Sequence, residues 1–123
     1  MNYERTLQEA GLTSSESKVY LSLLRKGSLT KTPLVKESQI SPSKVYEVIN
    51  KLIVKGLVSE VMQDGIRHFT AASPLKIKEY LQRKKQEIVR AEEDVNSIIS
   101  DLLRTLQNSQ NDFLSQKFLI IIS

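Results

Sequence analysis

The first part of the chain alternates helix-like apolar spacing with glycine punctuation. A first helix is predicted over residues 3–10, and Gly11 suits the left-handed position that ends a helix. Thr13 and Glu16 have the spacing of a capping box, which predicts the start of a second helix. Gly27 should end that helix. Its apolar positions recur at helical intervals and are Val19, Tyr20, Leu23 and Leu24.

Proline marks the start of the third predicted helix. A short extended segment at residues 28–30 precedes it. Thr32 followed by Pro33 has the order of an N-cap and a first helical residue, a position where proline removes no needed donor. The helix should be short and end near Ser38.

A fourth predicted helix repeats the same device after a tight turn at residues 39–40. Ser41 and Pro42 open it, and Gly56 closes it, so that it covers residues 42–55. Two helices joined by a short turn, the second longer and amphipathic, predict a helix-turn-helix unit. The apolar face of the second helix consists of Val45, Val48, Ile49 and Leu52.

A β-hairpin should follow directly. Residues 57–61 and 66–70 have strand-like composition, and the Asp64-Gly65 pair between them favours a hairpin turn. A hairpin after such a helix is the wing of a winged helix. Pro74 then begins a last and longest helix.

The last helix carries an apolar repeat with alternating steps of four and three residues. Seven of its eight positions are apolar, a pattern that predicts a coiled coil. The predicted helix covers residues 74–108, and a second copy of the chain is the simplest partner for its stripe. Lys84, the charged position, either fixes the register or marks where the two helices have not yet met. The stripe is Ile77, Leu81, Lys84, Ile88, Ala91, Val95, Ile98 and Leu102.

The chain ends in an apolar run at residues 118–122 whose β-branched content favours a strand. The strand would pair across a dimer or begin a further domain. The predicted architecture is mainly α with a small β-hairpin. It comprises a winged helix-turn-helix at residues 1–74, a dimerising coiled-coil helix at 75–110, and an apolar tail of uncertain role at 111–123.

The composition limits the classes of function that are open to this chain. The 123 residues include no cysteine and one histidine, His68, which excludes thiolate metal sites and cysteine nucleophiles and leaves little for acid–base chemistry. Phosphate-loop and zinc-ligand spacings are also absent. We therefore expect neither an enzyme nor a cofactor, a metal or an identifiable effector site. With no signal peptide or membrane span in the sequence, the expected compartment is the cytoplasm.

Charge is distributed unevenly along the last helix. Residues 76–90 contain six basic and two acidic residues, whereas residues 91–112 contain one basic and five acidic residues. The basic half follows the predicted winged helix, where a nucleic acid would lie. A solvated helix face explains the same run equally well.

The candidate reading surface is the outward face of the helix at residues 42–55. Its first turn approaches base edges in helix-turn-helix proteins, so Ser43 and Lys44 are the best base or phosphate contacts. Tyr46 suits a phosphate or a thymine methyl group, or else caps the core. Ser41 and the first-turn amides suit a phosphate. The remaining candidates on this face are Glu47, Asn50 and Lys51.

Contacts to the DNA backbone are expected from the elements around this helix. Arg67 and His68 lie on the predicted wing, although His68 is equally compatible with an ordinary strand position. Lys31, Thr32 and Lys36 lie near the short third helix. Such contacts set position and affinity rather than sequence preference.

The sequence is compatible with two functions. The cations on the fourth helix and the wing favour double-stranded DNA as the partner of a homodimer, whereas Glu47 opposes it. The alternative is a winged-helix protein-interaction module that does not bind DNA. The cations are Lys44, Lys51, Lys55 and Arg67.

Several motifs resemble those of the archaeal TrmB-type regulators, and the likeness covers about residues 7–81. The motifs are GLTSSE at residues 11–16, KVYL at 18–21 with Leu24, ISPSKVYEV at 40–48, KL at 51–52, KGLV at 55–58, and FTA at 69–71 with Pro74. The resemblance implies a dimeric winged-helix repressor or activator of metabolic or transport genes, with residues 43, 44 and 46 on the DNA-reading helix. Larger members continue into a sugar-binding domain where this chain ends. The chain is thus a compact regulator or a fragment, and sugar sensing is not carried over.

Overall fold

The computed structural model describes residues 2–122, with side chains for residues 2–116. The chain forms two compact units, Met1–Arg83 and Lys84–Ser123, and the boundary falls inside the last helix. The elements in chain order are α1 (Tyr3–Glu9), α2 (Ser14–Lys26), α3 (Lys31–Ser38), α4 (Pro42–Val54), β1 (Val58–Gln63), β2 (Ile66–Ala71) and α5 (Leu75–Ile122). This is the mainly helical winged-helix architecture that the sequence predicts.

The capping box at the start of α2 is confirmed. The Thr13 amide donates to the Glu16 carboxylate at 2.8 Å, and the Glu16 amide donates to the Thr13 hydroxyl at 3.1 Å. Gly27 ends the helix with a positive φ of 84°. Both ends of α2 are therefore fixed by local sequence.

The predicted start of α3 was wrong by two residues. The N-cap is Thr30 rather than Thr32, and the Leu34 amide donates to the Thr30 carbonyl at 3.1 Å. Pro33 is consequently the third helical residue. It is tolerated there because the first turn of a helix has no internal acceptors for its amides. Gln39 ends α3 in the left-handed conformation, with φ of 60°, and makes the turn of the helix-turn-helix.

The start of α4 matches the sequence prediction in position. Ser41 is the N-cap and Pro42 the first helical residue. The Ser41 side chain makes no capping hydrogen bond, and its hydroxyl instead lies 3.3 Å from that of Ser43. The cap therefore relies on backbone conformation and on proline.

The wing is a two-stranded antiparallel hairpin, β1 with β2. Asp64 and Gly65 both have positive φ, 52° and 75°, as a two-residue type I′ turn requires. Leu29 pairs with Phe69 through two backbone hydrogen bonds of 3.0 and 2.8 Å. This bridge ties the segment between α2 and α3 to β2.

The core lies in the first unit and is formed by the inward faces of its helices and hairpin. Leu24, one of the apolar positions of α2, lies outside it, because its side chain is 45% exposed in the last turn of that helix. Within α2 the last buried side chain is that of Leu23, the residue directly before Leu24. The most completely buried apolar side chains are Val19, Tyr20, Leu23, Leu34, Val45, Ile49, Leu52, Leu57 and Phe69.

The second unit consists of the continuation of α5. The predicted end at residue 108 was wrong, because the backbone stays helical to Ile122, and the strand predicted for residues 118–122 was wrong for the same reason. Residues 75–122 contain no glycine or proline to stop the helix, and β-branched residues weaken helix propensity only slightly. The side chains of that tail lie outside the described residues.

The apolar stripe of α5 differs along its length. Ile77 is half-buried against the core of the first unit, whereas Leu81 is 41% exposed. In the second unit the stripe is exposed throughout, and its residues are Lys84, Ile88, Ala91, Val95, Ile98 and Leu102.

Candidate nucleic-acid interface

The outward face of α4 is an exposed polar surface of the helix-turn-helix. Four apolar residues of α4 face the core, so the opposite side chains are held towards solvent. Lys44 lies in the first turn of this face, the part that reaches base edges in helix-turn-helix proteins. The exposed candidates are Ser41, Ser43, Lys44, Glu47, Asn50 and Lys51.

An ion pair lies across the middle of this face. Lys51 Nζ is 3.3 Å from Glu47 Oε1, and both side chains are more than half exposed. An exposed pair of this kind contributes little to stability. It does place a carboxylate beside Lys51, which offsets the positive charge of that side chain.

Tyr46 joins three elements through its ring. Lys31 Nζ of α3 lies 4.6 Å from the ring centroid, and Arg67 Cζ of β2 lies 4.5 Å from it. The ring also meets Phe69 edge-on, with centroids 6.1 Å apart. Tyr46 is half-buried and packs against the core, which agrees with the capping role considered from the sequence. Its ring holds two cations near α4.

Arg67 is oriented by Glu60, a residue that was not among the candidates predicted from the sequence. Arg67 Nε and Nη2 donate to the two Glu60 carboxylate oxygens, the second at 3.1 Å. The hydrogen bond from Arg67 lowers the pKa of Glu60, and the same bond raises the pKa of Arg67. The hairpin register could have revealed this partner, because Met62 faces Arg67 and Glu60 therefore lies diagonally across on the same side.

Lys55 does not belong to the candidate surface, contrary to the sequence interpretation. Its ammonium group pairs with Glu16, whose side chain is 1% exposed, and the Lys55 side chain is itself 20% exposed. The Lys55 carbonyl accepts a hydrogen bond from Arg83 Nη2 at 2.9 Å. A buried carboxylate needs a charged partner, so Lys55 serves the core of the first unit.

The remaining candidates are distributed around this surface. Thr32 and Lys36 are exposed on α3. His68 is half-buried in β2 opposite Val61. Among the residues whose side chains are described, no group of three histidine, aspartate or glutamate side chains is arranged to hold a metal ion. Within the same part of the chain, no helix has the length and apolarity of a membrane span.

Relatives by sequence include one archaeal and one bacterial protein. The chain is 28% identical over 104 residues to "HTH-type sugar sensing transcriptional regulator TrmBL1" of Pyrococcus furiosus, which covers 85% of this chain and 29% of that protein. It is 40% identical over 50 residues to the uncharacterized protein YrhO of Bacillus subtilis, which covers 41% of this chain and 18% of that protein. The chain thus spans less than a third of either relative.

Solved structures share the fold. TrmBL2, described as an archaeal chromatin protein with a novel mode of DNA binding, superposes with a TM-score of 0.70 at 24% identity, over 85% of this chain and 40% of that one. A possible transcriptional regulator from Methanosarcina mazei gives a TM-score of 0.60 at 21% identity, over 79% of this chain and 88% of that one.

A family model described as the sugar-specific transcriptional regulator TrmB matches residues 7–85. The match contains the whole helix-turn-helix, the wing and the first turns of α5. It includes the capping box of α2 and the Ser-Lys-Val-Tyr segment of α4. The chain therefore belongs to the TrmB family of transcriptional regulators.

Proposed function

We propose that the chain is a sequence-specific regulator of transcription that binds double-stranded DNA as a homodimer. The observation that carries the proposal is the first turn of α4, where Ser43 and Lys44 are exposed while the opposite face of the helix is locked into the core. In this proposal α4 lies in the major groove, and Ser43 and Lys44 contact base edges or phosphates. Its place of action is the cytoplasm, and it has no catalytic role.

The cations around Tyr46 support the backbone part of the proposal. Lys31 and Arg67 come from α3 and β2 and converge on one ring of α4. Cations held by an aromatic ring lose less side-chain freedom when they meet a phosphate. We assign Lys31, Thr32 and Arg67 to the backbone or the minor groove. Such contacts fix the orientation in which Lys44 meets the bases.

The homodimer part rests on α5. Ile88 and Leu102 are 66% and 54% exposed, and these side chains belong to one repeating stripe. A helix with such a stripe buries it against another helix. Two copies also carry two reading helices, the number that a palindromic site requires.

The names of the relatives support regulation but do not define its signal. The description of TrmBL1 includes sugar sensing, and the chain spans 29% of that protein. We propose no sugar ligand for this chain.

The central experiment compares Lys44→Ala with Arg104→Ala. Both remove one exposed positive charge, but Arg104 lies in the second unit. Lys44→Ala should cost about 1–3 kcal/mol on the preferred duplex and flatten the preference among duplexes. Arg104→Ala should change neither. Duplexes are selected from random DNA with wild-type protein, and affinities are measured by fluorescence anisotropy.

The role of Arg67 is tested by a salt titration of the same duplexes. Arg67→Ala should weaken all duplexes about equally and lower the salt slope by about one per lost phosphate contact in each protomer. A change in sequence preference would move Arg67 to the base-reading set. Wild-type protein that binds no duplex tighter than about 100 μM, the weak end of non-specific binding, would overturn the proposal.

A second candidate function is a protein-interaction module. It is favoured by three large apolar side chains exposed on the hairpin, Val61, Met62 and Ile66, with exposed fractions from 54% to 62%. The carboxylate of Glu47 on α4 points the same way. Failure of the random-DNA selection, together with a stable stoichiometric complex through the hairpin, would favour this function.

A further inference from the structure

We propose that the two α5 helices of the homodimer run antiparallel, so that the basic segment of one copy lies against the acidic segment of the other. This inference rests on the proposed homodimer and adds its orientation. It follows from the order of charges and apolar residues along one continuous helix. The second copy of this chain is therefore the occupant assigned to the exposed stripe.

The stripe is self-complementary when reversed. The apolar positions of a coiled coil alternate between two types, called a and d. In an antiparallel pair an a position of one helix faces a d position of the other across the seam. Placing the two-fold axis beside residues 89 and 90 makes Leu81 face Ile98, and Ile88 face Ala91. All four side chains are exposed in the single chain and are therefore available to a partner. The same register leaves no seam position from 81 to 98 without a counterpart.

Charge selects this orientation. In the antiparallel register residues 76–88 lie along residues 91–103 of the second copy. The first segment contains five basic and two acidic residues, and the second contains four acidic residues and no basic residue. Opposite net charges thus meet at both ends of the pair. In a parallel pair each segment would lie along its own copy, so that the basic segment would face a basic one and the acidic segment an acidic one.

The flanking positions show how the charges meet. Lys85 faces Glu92 of the second copy, and by symmetry this attractive contact occurs twice. Glu87 faces Asp94 of the second copy and is unfavourable. However, the same Asp94 lies beside Val95, opposite Lys84, and the long side chain of Lys84 can reach it. Lys84 therefore has an acidic neighbour in the antiparallel pair, whereas in a parallel pair two Lys84 side chains would face each other across the seam.

Disulfide trapping in the full chain tests the orientation, since the natural sequence contains no cysteine. One protein carries Leu81→Cys, and a second, marked by a size tag, carries Ile98→Cys. Both sites are exposed, at 41% and 48%, so neither change opens the core. In the antiparallel register the two cysteines face each other, whereas two copies of residue 81 are about 25 Å apart at 1.5 Å per residue. A disulfide spans Cα atoms only about 4–7 Å apart.

The expected result is a mixed-size disulfide dimer when the two proteins are combined and oxidised, with little dimer from either protein alone. Efficient disulfide formation in each separate sample would show parallel helices and overturn the orientation while leaving the homodimer intact. A dimer in sedimentation that yields no disulfide in any sample would overturn the register. Monomers in sedimentation of unmodified chain would overturn the homodimer itself.

A charge exchange gives an independent readout. Lys85→Glu places a second carboxylate opposite Glu92 and should weaken the antiparallel dimer about fivefold at low salt, through two affected contacts. Adding Glu92→Lys in the same chain should restore the affinity. In a parallel pair residues 85 and 92 do not face each other, and the second change would give no restoration. Failure to restore would therefore count against the antiparallel register.

Discussion

The two units of the chain differ in the burial of their apolar side chains. In the first unit Val45 and Leu52 are 0% exposed, and the core is shared among helices and hairpin. In the second unit, within the described residues, Ile88 and Leu103 are 66% and 60% exposed on a lone helix. The first unit can hold its fold by internal contacts. In the proposed homodimer the second unit buries its apolar side chains only against the second copy, so its stability should depend on protein concentration.

The largest effect should come from opening a cavity in the first unit. Leu57 is 0% exposed, so Leu57→Ala should lower the free energy of unfolding by about 2–5 kcal/mol. Leu114→Ala is the matched control in the second unit, where the side chain is 60% exposed, and should change it by less than about 0.5 kcal/mol. Urea denaturation of dilute protein measures both. Similar losses for the two variants would show that the units are not energetically distinct.

The next effect concerns association. Replacing Ile88 and Val95 by Asp puts two carboxylates into the proposed seam, where burial of each would cost several kcal/mol unless the helices separate. We expect monomers in sedimentation at concentrations where the wild type is a dimer, with the first unit still folded. Gln86→Asp with Ser97→Asp adds the same charges on the opposite side of α5 and should leave the dimer intact. A dimer that survives Ile88→Asp with Val95→Asp would place the interface elsewhere.

A smaller effect should depend on pH and belong to the first unit alone. Burial raises the pKa of the Glu16 carboxyl, but hydrogen bonds from Lys55 and Thr13 and the charge of Lys55 outweigh it, so the pKa is lowered overall. A carboxyl with a lowered folded pKa stabilises the fold above its unfolded pKa, and that contribution is lost as the pH falls through the folded value.

Glu16→Gln should therefore cost about 1–3 kcal/mol at neutral pH, since it leaves Lys55 without its charged partner. The difference from wild type should shrink as the pH falls below the ordinary value of 4.5. Denaturation midpoints at pH 7 and below pH 4 measure it. Glu93→Gln, on the exposed second unit, is the control and should show no such change. A constant difference across the range would assign the loss to packing rather than to charge.

Local signals explain how much of this molecule could be predicted from its sequence. The capping box at Thr13, the turn at Asp64 and the apolar face of α4 depend on residues close together in the chain, and each prediction was confirmed. The predicted start of α3 was wrong because proline is tolerated at any position of a first turn, so Pro33 does not define which residue is the first of the helix. The strand predicted for the tail was wrong because a weak β preference cannot stop a helix that lacks glycine and proline.

Contacts between residues far apart in the chain could not be predicted from the sequence. The pairing of Glu16 with Lys55 joins residues 39 positions apart, and no local pattern reports it. Lys55 was consequently taken for a surface cation. The cluster of Lys31 and Arg67 on Tyr46 likewise depends on tertiary packing of α3, α4 and β2. The sequence named all three residues but could not bring them together. Whether they contact DNA stays a prediction.

The smallest predicted difference compares one ion pair from each unit. Glu60 and Arg67 have side chains 28% and 34% exposed, and Arg67 also lies on two aromatic rings. Asp101 and Arg104 are 73% and 70% exposed on α5, at 3.5 Å. Glu60→Gln should slightly lower the denaturation midpoint, because it removes the ion pair of an arginine that the two rings already hold beside Glu60. Asp101→Asn should leave the midpoint unchanged, since solvent already screens that pair.

Measurements at low and high salt add a second criterion, because salt should reduce the Glu60→Gln difference without abolishing it. Equal responses of the two variants would mean that the hairpin pair is as solvated as the helix pair, and Glu60 would then lose its role in positioning Arg67.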